Sequence, residues 1–119
     1  MRLATILLTV ALAGPVAADQ LDPSPDSIPP HARVIKQNSK AFMACYQREL
    51  SRDPRTARGG KVVLAVVLDK VGAVKSVKVE STTLDNRNVE NCLLREMLKL
   101  RFPAEAPATF SFPFVFAAA

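Results

Sequence analysis

The stretch KVVLAVVLDKVGAVKSVKVES, from Lys61 to Ser81, constrains what this chain can fold into more than any other segment. It reads as two antiparallel strands joined by a short turn at Asp69 to Gly72. Val62, Val63, Val66 and Val67 supply the β-branched density that suits a pleated surface, and Gly72 can take the positive φ that a short bulged loop needs. Side chains alternate across a strand, so Val62, Leu64, Val66 and Leu68 share one face while Val63, Ala65 and Val67 share the other. Both faces of the first strand are apolar. The second strand sets Val77 and Val79 against Lys78 and Glu80, a half-buried alternation. The first strand is therefore expected at the centre of a sheet and the second at an edge.

The flanking segments supply the other layer. From about His31 to Leu50, the residues Ile35, Ala41, Phe42, Cys45 and Leu50 recur near helical spacing, and Pro29 or Pro30 suits the first helical position. One helix is predicted there. After the hairpin, Asp85 is the expected N-cap of a second helix with Val89, Cys92, Leu93, Met97 and Leu100 on one face, and Pro103 is its expected stop. From Thr109 to Phe116 the chain alternates so that Phe110, Phe112, Phe114 and Phe116 point the same way, which predicts a third strand. A right-handed crossover through the second helix leaves strand three parallel to strand two, with strand one between them and antiparallel to both. The expected fold is α+β, two helices packed on a three-stranded antiparallel sheet of order 2-1-3.

Residues 1–18, MRLATILLTVALAGPVAA, combine a basic Arg2, an apolar core and small residues before Asp19, the pattern of a cleaved secretory signal. The competing reading, a membrane anchor, needs about 20 apolar residues, and this run is far shorter. Residues 19–30, DQLDPSPDSIPP, hold four prolines and are expected as an extended lead-in. Residues 31–119 then form a single domain. Without Arg2 the sixteen basic residues become fifteen against eleven acidic ones, a mild positive bias that falls short of a nucleic-acid footprint. The basic residues do concentrate in SRDPRTARGGK, where Arg52, Arg55, Arg58 and Lys61 recur every three positions, although Pro54 and the Gly59-Gly60 pair break any continuous helical face.

Cys45 and Cys92 lie 47 residues apart, each on the apolar face of a different predicted helix. In an exported chain that pattern favours a disulfide over two buried thiols. Closing a loop of this size restricts the unfolded chain by about 4 kcal/mol in the entropy model. Catalytic candidates are scarce. The one histidine, His31, adjoins the proline-rich lead-in, so a nucleophile and base pair would depend on a mobile position. Asp69 is accounted for by its turn, Asp85 by its cap, and Glu90 and Glu96 by a helix surface. Metal ligands at suitable spacing and a phosphate-cradling glycine loop are both lacking, so no enzyme activity, metal or cofactor is expected.

The residues also carry a resemblance. Cys45-Tyr46 with Leu50, Asp53-Pro54, Gly60-Lys61-Val62, the turn ending in Gly72, Ser81-Thr82 with Leu84, Val89 with Cys92, Arg101-Phe102-Pro103 and Phe112-Pro113-Phe114 form an ordered set. That set resembles the AgmX/PglI C-terminal domain, a TonB C-terminal-like family, over nearly the whole mature chain. The resemblance implies two helices against a three-stranded antiparallel sheet. It also implies a protein-interaction module of the bacterial envelope, without catalytic residues, and the signal places the expected module in the periplasm or outside the cell.

Two functional expectations from different classes follow. In the first, an envelope protein adds a strand at the open edge of strand three, a mode that resembles how TonB-like domains take receptor peptides. The expected contact residues are Thr109, Ser111 and Val115 on the edge strand, with Val63 and Val67 on the outer sheet face. Pro113 fits only if its missing N–H faces the free edge, and it reads equally well as a device that blocks edge pairing. In the second, Arg52, Arg55, Arg58 and Lys61 bind a polyanionic envelope ligand, wall polymer or anionic lipid. Neither expectation involves nucleic acid or a membrane anchor in the mature chain.

Overall fold

The computed structural model describes residues 28–118, so the expected signal and most of the lead-in lie outside the described residues. Strands β1 (Gly60–Leu68) and β2 (Val74–Thr82) form the expected hairpin, and β3 (Thr109–Phe116) pairs with the other side of β1. The order is β2-β1-β3, with β1 antiparallel to both neighbours. The turn needs its glycine: Gly72 has φ +86°, and a Cβ there would collide with the carbonyl oxygen of Phe102. Asp69 caps the same turn by accepting from the backbone N–H groups of Val71 and Ala73 at 2.9 and 3.0 Å.

Among the described residues there are three α-helices where two helices were expected. The first predicted helix is divided into α1 (Pro30–Gln37) and α2 (Ser39–Arg52). Asn38 is the cause. Its backbone N–H bonds back to Ile35 O and its side-chain amide donates to Val34 O at 2.8 Å, so side chain and backbone together end α1. Pro30 is the first residue of α1, which moves the last position of the lead-in into the domain.

The third helix, α3 (Arg87–Leu98), departs from expectation at both ends. Its N-cap is Asn86, whose Oδ1 accepts from Val89 N at 3.0 Å, while Asp85 sits one residue outside with φ +53°. Its end precedes Pro103. The chain is turned by an isolated bridge between Arg101 and Ala73 and by a 2.8 Å bond from Phe102 N to Gly72 O, so Leu100 lies past the helix. The hairpin turn, and not the proline, stops α3.

The three described helices pack on the sheet face that carries Val62, Leu64, Val66 and Leu68. Phe42 of α2 meets Phe114 with ring centroids 4.7 Å apart, and Tyr46 stacks on Phe116 at 4.8 Å. The four phenylalanines of β3 do share one face, but their burial is graded. Phe114 and Phe116 are buried, whereas Phe110 and Phe112 are half-buried near the margin. The disulfide Cys45–Cys92 ties α2 to α3 beneath this layer, with Cα atoms 5.7 Å apart.

His31 lies in the first turn of α1 with its ring 4.4 Å from that of Phe110, so the position expected to be mobile is packed. Its Nδ1 is buried without a hydrogen-bond partner. Desolvation pulls its pKa below the ordinary imidazole value.

Two predictions follow from this packing. Phe114→Ala should cost about 3–5 kcal/mol, because it removes a buried ring and leaves a cavity, while Ser111→Ala on the opposite face should change urea midpoints little. For His31 the lowered folded pKa means the unfolded chain binds a proton first as pH falls. Its contribution is present above an ordinary value of about 6.5 and is lost as pH drops through the folded pKa. Replacing His31 with Leu should flatten that acid limb of a stability-against-pH curve, and an unchanged limb would assign it to other groups.

Candidate functional site

The hydrogen-bond phase of the sheet decides what β3 presents. Leu68 N donates to Ala108 O at 2.7 Å, and bonded pairs alternate along an antiparallel ladder. The even-numbered residues of β1 therefore bond to Phe110, Phe112, Phe114 and Phe116. Thr109, Ser111, Pro113 and Val115 direct their backbone groups away from β1. Pro113 stands opposite Val63 in one of these non-bonded pairs, so its missing N–H costs the ladder nothing. On the other side, Thr83 N donates to Lys61 O at 2.8 Å, which gives the odd-numbered residues of β1 to β2.

The two sheet edges differ physically. The β1–β2 register slips at Val63/Leu64 and at Val67/Leu68, leaving Glu80 and Lys75 as extra residues of β2, and Lys78 is exposed between them. Bulges and charges of this kind protect an edge from further pairing. The β1–β3 register runs without a slip from Gly60↔Phe116 to Val67↔Thr109. Among the described residues no strand pairs with the outer side of β3.

Thr109, Ser111 and Val115 are all exposed on β3, and Val115 keeps 69% of its surface accessible. Val63 and Val67 are half-buried on the outer sheet face, in register with Pro113 and Thr109. The structure thus places these five residues on one continuous surface. The Ser111 hydroxyl donates to Glu80 Oε1, reaching from β3 to β2 across the small Ala65. Beside the β3 edge an apolar groove of about 140 Å³ runs between the strand and the helices, lined by Ile35, Phe42, Met43, Phe112 and Val115 among others.

The basic residues are not gathered in the same way. Arg55 folds back onto Asp53 through two bonds of 3.0 Å, and this pairing holds the Asp53 carboxyl below its ordinary pKa. Arg55 and Arg58 line a cleft that also contains Asp53 and Asp85. Arg52 faces a different cleft, between α2 and α3, and Lys61 lies on the outer sheet face opposite Val115.

A buried polar cluster was not legible as a site. Glu49, Thr56 and Asn86 are each less than a tenth exposed. The Asn86 amide donates to Glu49 Oε2 at 3.0 Å and to Thr56 Oγ1 at 3.1 Å, and Asn88 donates to the same carboxylate oxygen at 3.0 Å. This explains why Asn, and not Asp85, caps α3. The position must accept from the helix and donate to both Glu49 and Thr56, which an amide with its two N–H groups does and an aspartate carboxylate does not. The available signal was spacing, since Glu49 continues the buried row of Phe42, Cys45 and Tyr46. The cluster connects α2, the 3₁₀ turn at Pro54–Arg58 and α3.

Among the described residues no three His, Cys, Asp or Glu side chains gather as metal ligands, and no helix is long and apolar enough to cross a membrane. No family model, curated protein or solved structure matches the chain.

In an isolated helix Asp and Asn cap about equally well. Here Asn86→Asp should destabilise the domain by on the order of 2 kcal/mol, because it deletes two donors and sets a second carboxylate beside Glu49. Urea unfolding at neutral pH with a wild-type midpoint would refute this account of the cluster.

Proposed function

We propose that this chain is an exported, non-catalytic docking domain of the bacterial envelope, similar in kind to TonB C-terminal-like domains, that takes an extended segment of an envelope protein along β3. The observation that carries this reading is the contrast between the edges. β2 is bulged and charged, whereas β3 is regular, faces outward with free backbone groups, and adjoins an apolar groove. An added strand gains main-chain hydrogen bonds at Thr109, Ser111 and Val115 and places alternate side chains against Val115 and the groove. Pro113 removes one donor from that edge, which sets the register an incoming strand can adopt. The Cys45–Cys92 bridge is consistent with an oxidising periplasm.

The second reading, a polyanion binder working through Arg52, Arg55, Arg58 and Lys61, has less support. Arg52 faces a different cleft from Arg55 and Arg58, and Arg55 is already paired.

Capture of an envelope protein at high salt, scored with a photo-crosslinker at Ser111, separates the two readings. Val67→Lys and Val115→Lys should weaken the crosslinked adduct while shifting stability by no more than about 0.5 kcal/mol, as exposed or half-exposed surface changes usually do. Arg55→Ala should leave the adduct intact. Retained capture in both lysine variants, with loss in Arg55→Ala, would move the site to the basic loop.

A further inference from the structure

The cleft between α2 and α3 has no role in strand addition and shares no residue with the groove beside β3. It measures about 220 Å³ and is walled by Arg48 and Arg52 of α2 and by Asn88, Asn91 and Arg95 of α3, with the disulfide as part of its lining. Arg48 and Arg52 are four residues apart and share one helix face. Arg95 meets them from the opposite wall.

The three guanidinium groups are like charges on solvent-exposed side chains, and the lining offers one carboxylate to offset them. Glu49 is the one carboxylate among the lining residues, and it is buried. Its Oε2 accepts from Asn86 and Asn88, while its Oε1 lies 3.8 Å from Arg52 Nε, an ion pair too long to be a hydrogen bond and with the Arg52 side chain 71% exposed. Arg48 gives one N–H to Cys92 Sγ at 3.0 Å, which pins the guanidinium across the cleft and leaves most of its five donors for another acceptor. Among the described residues Arg95 has no carboxylate within ion-pair distance. The cleft therefore carries a surplus of positive charge on arginines that come from two covalently joined helices.

We propose that this cleft is an anion site for a phosphate group. Its volume lies below the roughly 300–1,000 Å³ of pockets that enclose drug-sized molecules, so it accommodates a headgroup and not a whole organic ligand. Guanidinium forks match phosphate oxygens in bidentate geometry, and three forks arriving from two walls suit a tetrahedral group better than a planar carboxylate. The side-chain amides of Asn88 and Asn91 add neutral donors at the α3 wall. The phosphate can belong to a lipid headgroup or to a soluble phosphate.

The intact mature chain, titrated at low salt with inorganic phosphate, tests the assignment by NMR. Side-chain resonances of Arg48, Arg52, Arg95 and Asn88 should shift together and saturate. The double variant Arg52→Gln/Arg95→Gln should weaken the affinity about tenfold or more. Arg33→Gln/Arg101→Gln, which removes the same charge from elsewhere on the surface, should leave it within about twofold. Flotation with vesicles of phosphatidylglycerol in phosphatidylcholine identifies the source. Binding lost in Arg52→Gln/Arg95→Gln assigns a lipid headgroup, and phosphate binding without flotation assigns a soluble phosphate. Absence of saturable shifts together with absence of flotation overturns the proposal. So does an acetate titration that matches the phosphate affinity, or an equal loss in both double variants.

Discussion

The rest of the structure depends on β1 being hydrogen-bonded along both sides. A strand has two sets of backbone groups, and here the odd-numbered residues serve β2 while the even-numbered ones serve β3. That division makes Pro113 admissible, because it falls where β3 turns its N–H away from β1. It also fixes which side chains meet the helices. Val62, Leu64 and Val66 are almost completely buried, and every buried aromatic of β3 stands in register with one of the even-numbered positions of β1. A slip of one residue along β1 would turn Lys61, Val63, Ala65 and Val67 toward the helices and move Val62, Leu64 and Val66 to the outer face.

The helical layer is held by a different kind of interaction. Buried polar groups are costly if left unpaired, and Glu49, Thr56 and Asn86 are bonded to one another. Glu49, Thr56 and Asn86 come from three segments, so none can move without exposing the others' unmade bonds. Tyr46 extends the cluster toward the C-terminal end of β3. Its hydroxyl lies 2.9 Å from Thr56 O and 3.2 Å from Ala117 O, while its ring stacks on Phe116. The disulfide then fixes the same two helices one turn further along. A small core with few large side chains gains its definition from these paired constraints and not from apolar volume alone.

The sheet was legible because its determinants are local. Alternation along Lys61–Ser81 and Thr109–Phe116 needs only the residues themselves, and the position of β1 followed from its two apolar faces. The cysteine pairing was legible for a similar reason, since each cysteine lay on an apolar helix face. What could not be read depended on tertiary partners. Asn38 ends α1 through a side-chain bond that a periodicity count over His31–Leu50 passes over. Asn86 outranks Asp85 as a cap only because Glu49 and Thr56 wait for its amide, and α3 stops short because Gly72 takes the N–H of Phe102. The α2–α3 cleft was hidden for the same cause: Arg48, Arg52 and Arg95 are scattered in sequence, and only the helix packing brings them to one wall and its opposite.

The same constraints bear on how the two surfaces can work. Helix α3 is restrained at its start by Asn86, in its middle by Cys92 and just beyond its end by Phe102. The walls of the α2–α3 cleft cannot splay without breaking one of these ties. An anion entering it meets side chains on a fixed backbone, and the ordering cost is confined to the outer parts of the arginines. The β3 edge is built otherwise, because its backbone is tied on one side only and its outermost residues lie toward the end of the domain. A strand arriving there must supply the second set of hydrogen bonds itself. The proposed binding at that edge would therefore order β3 further, whereas the proposed binding in the cleft would exploit order that folding has already imposed.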